Sequence, residues 1–120
     1  MDKASFQEFL GLRPVEKNTM RTTMFKNLAK DLTAEERVAL EKDLLVVLEM
    51  QGNPGHEEYT GGPRDRLIKM CERQGLQFDK LLLSLDLCRT EGGMISQLSL
   101  NISPIREEIT RVFAHPSVDQ

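Results

Sequence analysis

Apolar residues recur at three- and four-residue intervals along most of this chain, the period that sets side chains on one stripe of an α-helix. Six segments carry it. The first, about Lys3 to Leu10, places Phe6, Phe9 and Leu10 at helical spacing and stops at Gly11, a residue suited to the left-handed conformation after a helix. The second, about Thr19 to Asp31, carries Met20, Met24 and Leu28 on one row and Phe25 and Leu32 on the next. Thr33-Ala34-Glu35-Glu36 reads as a capping box, in which the Thr33 hydroxyl accepts from the Glu36 backbone N–H while the Glu36 carboxylate reaches back. A competing reading runs one continuous helix through Thr33. The third segment extends from Ala34 to about Met50, with Leu40, Leu44, Val47 and Val38, Leu45, Leu48 facing inward and Glu35, Arg37, Glu41 and Lys42 facing out.

Gln51 to Pro63 holds four glycines and two prolines, with Tyr59 its only apolar residue, which predicts a flexible loop. The fourth segment, Arg64 to Gln74, turns Leu67, Ile68 and Cys71 inward, exposes Arg66, Lys69 and Arg73, and ends at Gly75. The fifth, Phe78 to about Thr90, is apolar nearly all round, the mark of a central helix. After a poorly specified stretch from Met94 to Leu100, Ser103-Pro104 supplies a cap and a first-turn proline for the sixth segment, whose buried stripe is Ile105, Ile109, Val112 and Phe113. Strand signals are weak throughout. The expectation is an all-α fold: a single domain over residues 1–120, built as one compact antiparallel bundle of about six helices, with residues 1–18 as an N-terminal extension.

Composition narrows the function classes. At 120 residues the chain can hide roughly 65% of its unfolded surface from water and so hold a core without staples. A net charge of -3 gives no global attraction to nucleic acid or an anionic membrane, although a local basic face is compatible with it. Cys71 and Cys88 both fall in apolar helical stretches, where a reduced cysteine acts as a small hydrophobe, and two cysteines are too few for a disulfide framework. No long apolar run follows Met1-Asp2-Lys3-Ala4-Ser5, and no segment approaches ~20 apolar residues. The expectation is therefore no signal peptide, no membrane span and a cytoplasmic, reducing location.

Candidate chemistry is sparse. His56 and His115 have no cysteine or histidine at metal-ligand spacing, and neither can be assigned as a base to Cys71, which reads better as a core residue than as a nucleophile. Gly61-Gly62-Pro63-Arg64 lacks the pattern and the lysine of a phosphate-binding loop. Glu35-Glu36 and Glu107-Glu108 sit in first helical turns, where they oppose the positive end of the helix dipole, and helix stabilisation accounts for them. No catalytic, cofactor-binding or metal site is assigned.

From Met24 to Leu40 the chain resembles the opening two helices of a death effector domain: an aromatic, a leucine, a short break before two acids, then an apolar helix. Arg64 to Leu76 is similar to the fourth helix of that family with its terminal glycine-leucine, and Phe78 to Cys88 resembles the leucine-rich fifth. The same stretch also resembles a death domain, which commonly carries tryptophan where Cys71 stands. The likeness covers about Met24 to Leu100. After the fifth helix, where the family often has arginine, a spacer, aspartate and leucine, this chain has Arg89-Thr90-Glu91-Gly92-Gly93. The resemblance implies a death-fold Greek key and homotypic assembly in apoptotic or innate immune signalling.

These readings converge on a non-enzymatic, intracellular adaptor or regulatory domain that binds another protein. Its expected partner surface sets the basic residues Arg64, Arg66, Lys69 and Arg73 against the acids Glu35, Glu41 and Asp43 of another copy or a partner. The bland alternative is that these charges only solvate two helix faces. A further alternative is a helical nucleic-acid-binding or viral regulatory protein using residues 64–73 as a phosphate-facing stripe, against which stand the acidic total and the scarcity of stacking aromatics.

Overall fold

The first described helix begins at a proline. In the computed structural model, which describes residues 11–49, 62–89, 95–99 and 101–113, α1 runs Pro14–Leu28 with Pro14 in its first turn, where a missing N–H costs nothing. The Glu16 carboxylate accepts from the Arg13 N–H at 2.9 Å. This start lies ahead of the expected Thr19. The added turn carries Val15, which is 61% exposed, and otherwise polar residues, so no apolar period announced it. Met24, Phe25 and Leu28 are buried, and Arg21 is buried on the same row. Asp31, at φ 60, turns the chain out of the helix.

The expected break at Thr33 is present. Its hydroxyl accepts from the Glu36 N–H at 3.1 Å, and the Glu36 carboxylate accepts from the Thr33 N–H at 3.0 Å. From this reciprocal cap α2 runs Ala34–Glu49 and buries Leu40, Leu44, Val47 and Leu48. Val38, expected inside, is 61% exposed. It lies about 120° around the axis from Leu44, beyond the edge of a stripe that neighbouring helices cover.

Helix α3, Pro63–Gln74, buries Leu67 and Cys71 and ends where expected. Gly75 takes φ 73, its N–H donates to the Glu72 carbonyl, and the Leu76 N–H donates to the Cys71 carbonyl at 2.8 Å. This paired closure needs a left-handed residue that glycine supplies without strain.

The fifth expected segment is not one helix. Helix α4 covers only Phe78–Ser84. Asp86 then adopts φ 58, and the chain enters β1, Leu87–Arg89, which pairs antiparallel with β2, Ile95–Gln97, in the register Leu87↔Gln97, Cys88↔Ser96 and Arg89↔Ile95. The all-α expectation is thereby corrected: besides five helices, the described residues form a two-stranded sheet. Leu81, Leu82, Leu83, Leu85 and Leu87 are all buried, and an unbroken apolar run cannot distinguish a buried helix from a helix followed by a buried strand.

The last helix, α5, spans Ser103–Phe113 and buries Ile105, Ile109 and Phe113. Its cap differs from expectation, because the Asn101 side chain, not Ser103, accepts the first free amide, the Ser103 N–H, at 3.1 Å. The expected helix at Lys3 to Leu10 and nearly all of the Gln51 to Pro63 loop lie outside the described residues.

Helix α1 packs against α3, α4 and α5, while α2 packs against α3 and α5. Ion pairs Arg66–Asp43 and Arg73–Glu36 make α2 and α3 antiparallel. The Thr22–Glu108 hydrogen bond and the Phe25–Phe113 ring contact, with centroids 5.6 Å apart, make α1 and α5 run in the same sense. The bundle is thus not antiparallel at every contact. Around Arg21, which is 5% exposed, the guanidinium donates to the Ser84 carbonyl and to Asn18, with Asp86 at 3.6 Å and Glu108 at 3.8 Å. That network ties α1, the turn after α4 and α5 together at the one buried cation among the described residues.

Candidate functional site

Antiparallel packing of α2 on α3 brings two charged rows face to face. Residues 36, 39, 40 and 43 of α2 recur at helical spacing, and so do 66, 69, 70 and 73 of α3, so each row lies on one side of its helix. Between them lies a groove of about 300 Å³, with Ala39, Leu40 and Met70 as its apolar lining and Glu36, Asp43, Arg66, Lys69 and Arg73 around them.

Three of the four expected cations are engaged within the chain. Arg66 grips Asp43 with two parallel hydrogen bonds, Nε to Oδ2 at 2.9 Å and Nη2 to Oδ1 at 2.8 Å. This fork-to-fork geometry is the strongest that arginine makes with a carboxylate, and the Asp43 bond raises the Arg66 pKa above its ordinary value. Asp43 is 6% exposed. It was expected as an acid offered to a partner, and the structure instead covers it and binds it to Arg66 of its own chain.

Arg73 donates to Glu36 at 2.5 Å. That bond, followed by the one from the Thr33 N–H, holds the Glu36 carboxyl down at about 2. Glu36 therefore does two things: one oxygen caps α2, and the other locks α3 to it. Sequence reasoning gave it only the cap. The signal that would have found the second role is its place on the row with Leu40 and Asp43, one side of which faces α3.

Lys69 pairs with Asp65 one turn away at 3.3 Å and is 72% exposed in its side chain, a contact that water and salt weaken. Arg64 is half-buried in the first turn of α3, Glu35 is exposed and Glu41 is half-buried. The seven expected residues thus divide into Arg66, Arg73 and Asp43, which staple two helices, and Arg64, Lys69, Glu35 and Glu41, which make no ion pair between helices among the described residues.

Neither thiol is set up to attack. Burial, and then the charge of Glu72, pushes Cys71 up to about 11, and burial also raises Cys88. At about 11 the Cys71 thiol stays protonated at neutral pH and is weakly nucleophilic. Among the described residues no group of three histidine, cysteine or acidic side chains is placed to hold a metal ion, and no helix is long and apolar enough to cross a membrane. His56 and His115 lie outside the described residues. Comparison with protein families, with curated proteins and with solved structures finds no match.

Proposed function

We propose that this chain is a non-enzymatic protein-interaction domain with a death-fold-like helical bundle, which assembles with another copy or a related domain through the joint face of α2 and α3. The observation that carries the reading is the α2/α3 groove: an apolar lining inside a ring of charges, with Arg66–Asp43 and Arg73–Glu36 holding the ring rigid. Protein interfaces share that anatomy of apolar centre and polar rim, and a surface already ordered loses less entropy on binding. The stapled charges shape the groove, while Arg64, Lys69 and Glu35 are the charges left for a partner on this side of α2.

The non-sequential order of neighbours, with α2 lying against α3 and α5, supports the death-fold comparison, since a simple up-and-down bundle would argue against it. That comparison extends the proposal to homotypic assembly in apoptotic or innate immune signalling inside the cell. Three cations of the 64–73 stripe already face carboxylates, which favours a protein partner over a phosphate backbone.

The test is sedimentation of the wild type beside Arg64→Glu with Lys69→Glu, a pair that leaves both interhelical staples in place. Assembly is expected in the wild type and strongly weakened in the variant, with circular dichroism unchanged. Equal assembly of the two proteins removes the face from consideration, and salt-sensitive retention of duplex or single-stranded DNA on filters would favour the nucleic-acid reading.

A further inference from the structure

A second charged surface lies on the opposite side of α2, and it goes beyond the proposed α2/α3 face. Where the end of α1, the start of α2 and the end of α5 meet, a groove of about 620 Å³ is lined by Lys26, Lys30, Arg37 and Arg111, with the carboxylates of Asp31 and Glu108 also present. Glu108 is already engaged, accepting from Thr22 at 2.6 Å and lying 3.8 Å from Arg21. Arg37 is aimed by its bond to the Val112 carbonyl at 3.3 Å. Among the described residues no carboxylate forms an ion pair with Lys26, Lys30, Arg37 or Arg111, so a protein of net charge -3 presents a concentrated positive cleft.

The same face carries the matching acids. Arg37 of α2 meets Val112 of α5, and Glu49 of α2 pairs with Arg106 of α5 at 2.7 Å, so the two helices run antiparallel along this face. Glu41 follows Arg37 by one helical turn, and Glu107 precedes Arg111 by one turn, which keeps each acid on the side of its helix that bears the cation. Because the helices are antiparallel, both steps lead the same way, away from the basic cleft. Neither acid has a cation within ion-pair distance among the described residues. The α2/α5 face thus carries the basic cleft at one end and Glu41 and Glu107 toward the other, where Arg106 is already taken up by Glu49 and Lys42 is exposed, while Val38, next to Arg37, is 61% exposed.

We infer that this face binds a second copy of the chain, as a two-fold dimer in which the cleft of each copy receives Glu41 and Glu107 of the other. A two-fold interface requires a surface complementary to itself, and a face with a basic cleft at one end and Glu41 and Glu107 toward the other meets that requirement when one copy is turned end for end. A generic acidic partner would use the cleft but leave Glu41 and Glu107 unanswered.

The experiment measures mass by sedimentation equilibrium on the full chain across a range of concentration and salt. Wild type is expected to dimerise, more weakly as salt rises. Lys30→Glu with Arg111→Glu makes the face net acidic although Lys26 and Arg37 remain, and Glu41→Lys with Glu107→Lys makes it net basic although Asp31 and Glu108 remain. Each substitution counts twice in a symmetric dimer, so each variant alone should dimerise roughly a hundredfold more weakly. An equimolar mixture of the two should recover a dimer, because opposite faces then meet. Circular dichroism establishes that both are folded. Dimerisation unchanged in either variant, failure of the mixture to recover it, or a wild type monomeric throughout overturns the inference. Association that survives in both variants but disappears in Arg64→Glu with Lys69→Glu overturns it while leaving the α2/α3 reading in place. The converse pattern, loss only in the α2/α5 variants, supports this dimer and counts against the other face.

Discussion

Removing Arg66 should harm the fold more than removing the carboxylate it holds. Asp43 is 6% exposed and both its oxygens are bound by Arg66, whose side chain is 54% exposed. In Arg66→Ala the charge of Asp43 stays behind, covered and without its main partner. Breaking a fully buried pair costs about 3–5 kcal/mol, but water can enter where this half-exposed guanidinium stood, so the expected loss is about 2 kcal/mol. In Asp43→Ala the exposed guanidinium turns to water, and the loss should be nearer ~1 kcal/mol. Replacing both, as Asp43→Leu with Arg66→Met, removes the desolvated charge with its partner and should come within about 1 kcal/mol of wild type. Urea denaturation followed by circular dichroism gives all three values, with the slope checked for constancy. If Arg66→Ala is no worse than Asp43→Ala, the idea that covered Asp43 depends on its partner is wrong.

Leu85 is 0% exposed, so Leu85→Ala should cost about 2–5 kcal/mol by lost burial and a residual cavity, and an unchanged urea midpoint would place the residue outside the core. Thr33→Ala should cost roughly 1 kcal/mol through loss of the cap on α2, whereas a neutral result would point to a helix that needs no break there. Glu36 titrates at about 2 in the fold against an ordinary 4.5. A lowered folded-state value means its contribution is complete above about pH 4.5 and disappears as pH falls toward 2. The gap in urea midpoint between wild type and Glu36→Gln should therefore close over that interval, and a gap independent of pH would contradict the assignment. Cys71, 1% exposed and raised to about 11, should resist a thiol reagent in the native protein and react after unfolding, and rapid native labelling of Cys71 would refute its place in the core.

Helix positions were legible wherever local chemistry marks a boundary. Thr33 with Glu36, and Gly75 at its positive φ, each supply hydrogen bonds that neighbouring residues alone can satisfy, so a few letters of sequence suffice to locate them. The start of α1 was not legible because Pro14 to Thr19 is solvated and carries no apolar period. The strand at Leu87 was hidden for the opposite reason: burial on all sides erases periodicity, and the break at Asp86 depends on a left-handed φ adopted by an ordinary residue.

The candidate site was legible in its residue types and not in its connections. Arg66, Lys69 and Arg73 stand on one exposed row, as their spacing requires. That Arg66 and Arg73 meet Asp43 and Glu36 of the same chain depends on which helix lies beside α3, a tertiary fact that no local pattern carries. The Arg21 network is a further case, since a cation on the row of Phe25 and Leu28 makes sense only once Ser84, Asp86 and Glu108 surround it.

The central claim is that this bundle works through protein contacts on the two sides of α2. Amide shift mapping of the isotopically labelled chain on serial dilution tests it most directly. Concentration-dependent shifts should collect on the α2/α3 groove, around Leu40, Lys69 and Met70, and on the α2/α5 face, around Arg37, Glu41 and Arg111, and should shrink as salt rises. Shifts confined to α4 and the two strands, or amide positions independent of concentration throughout, would contradict it.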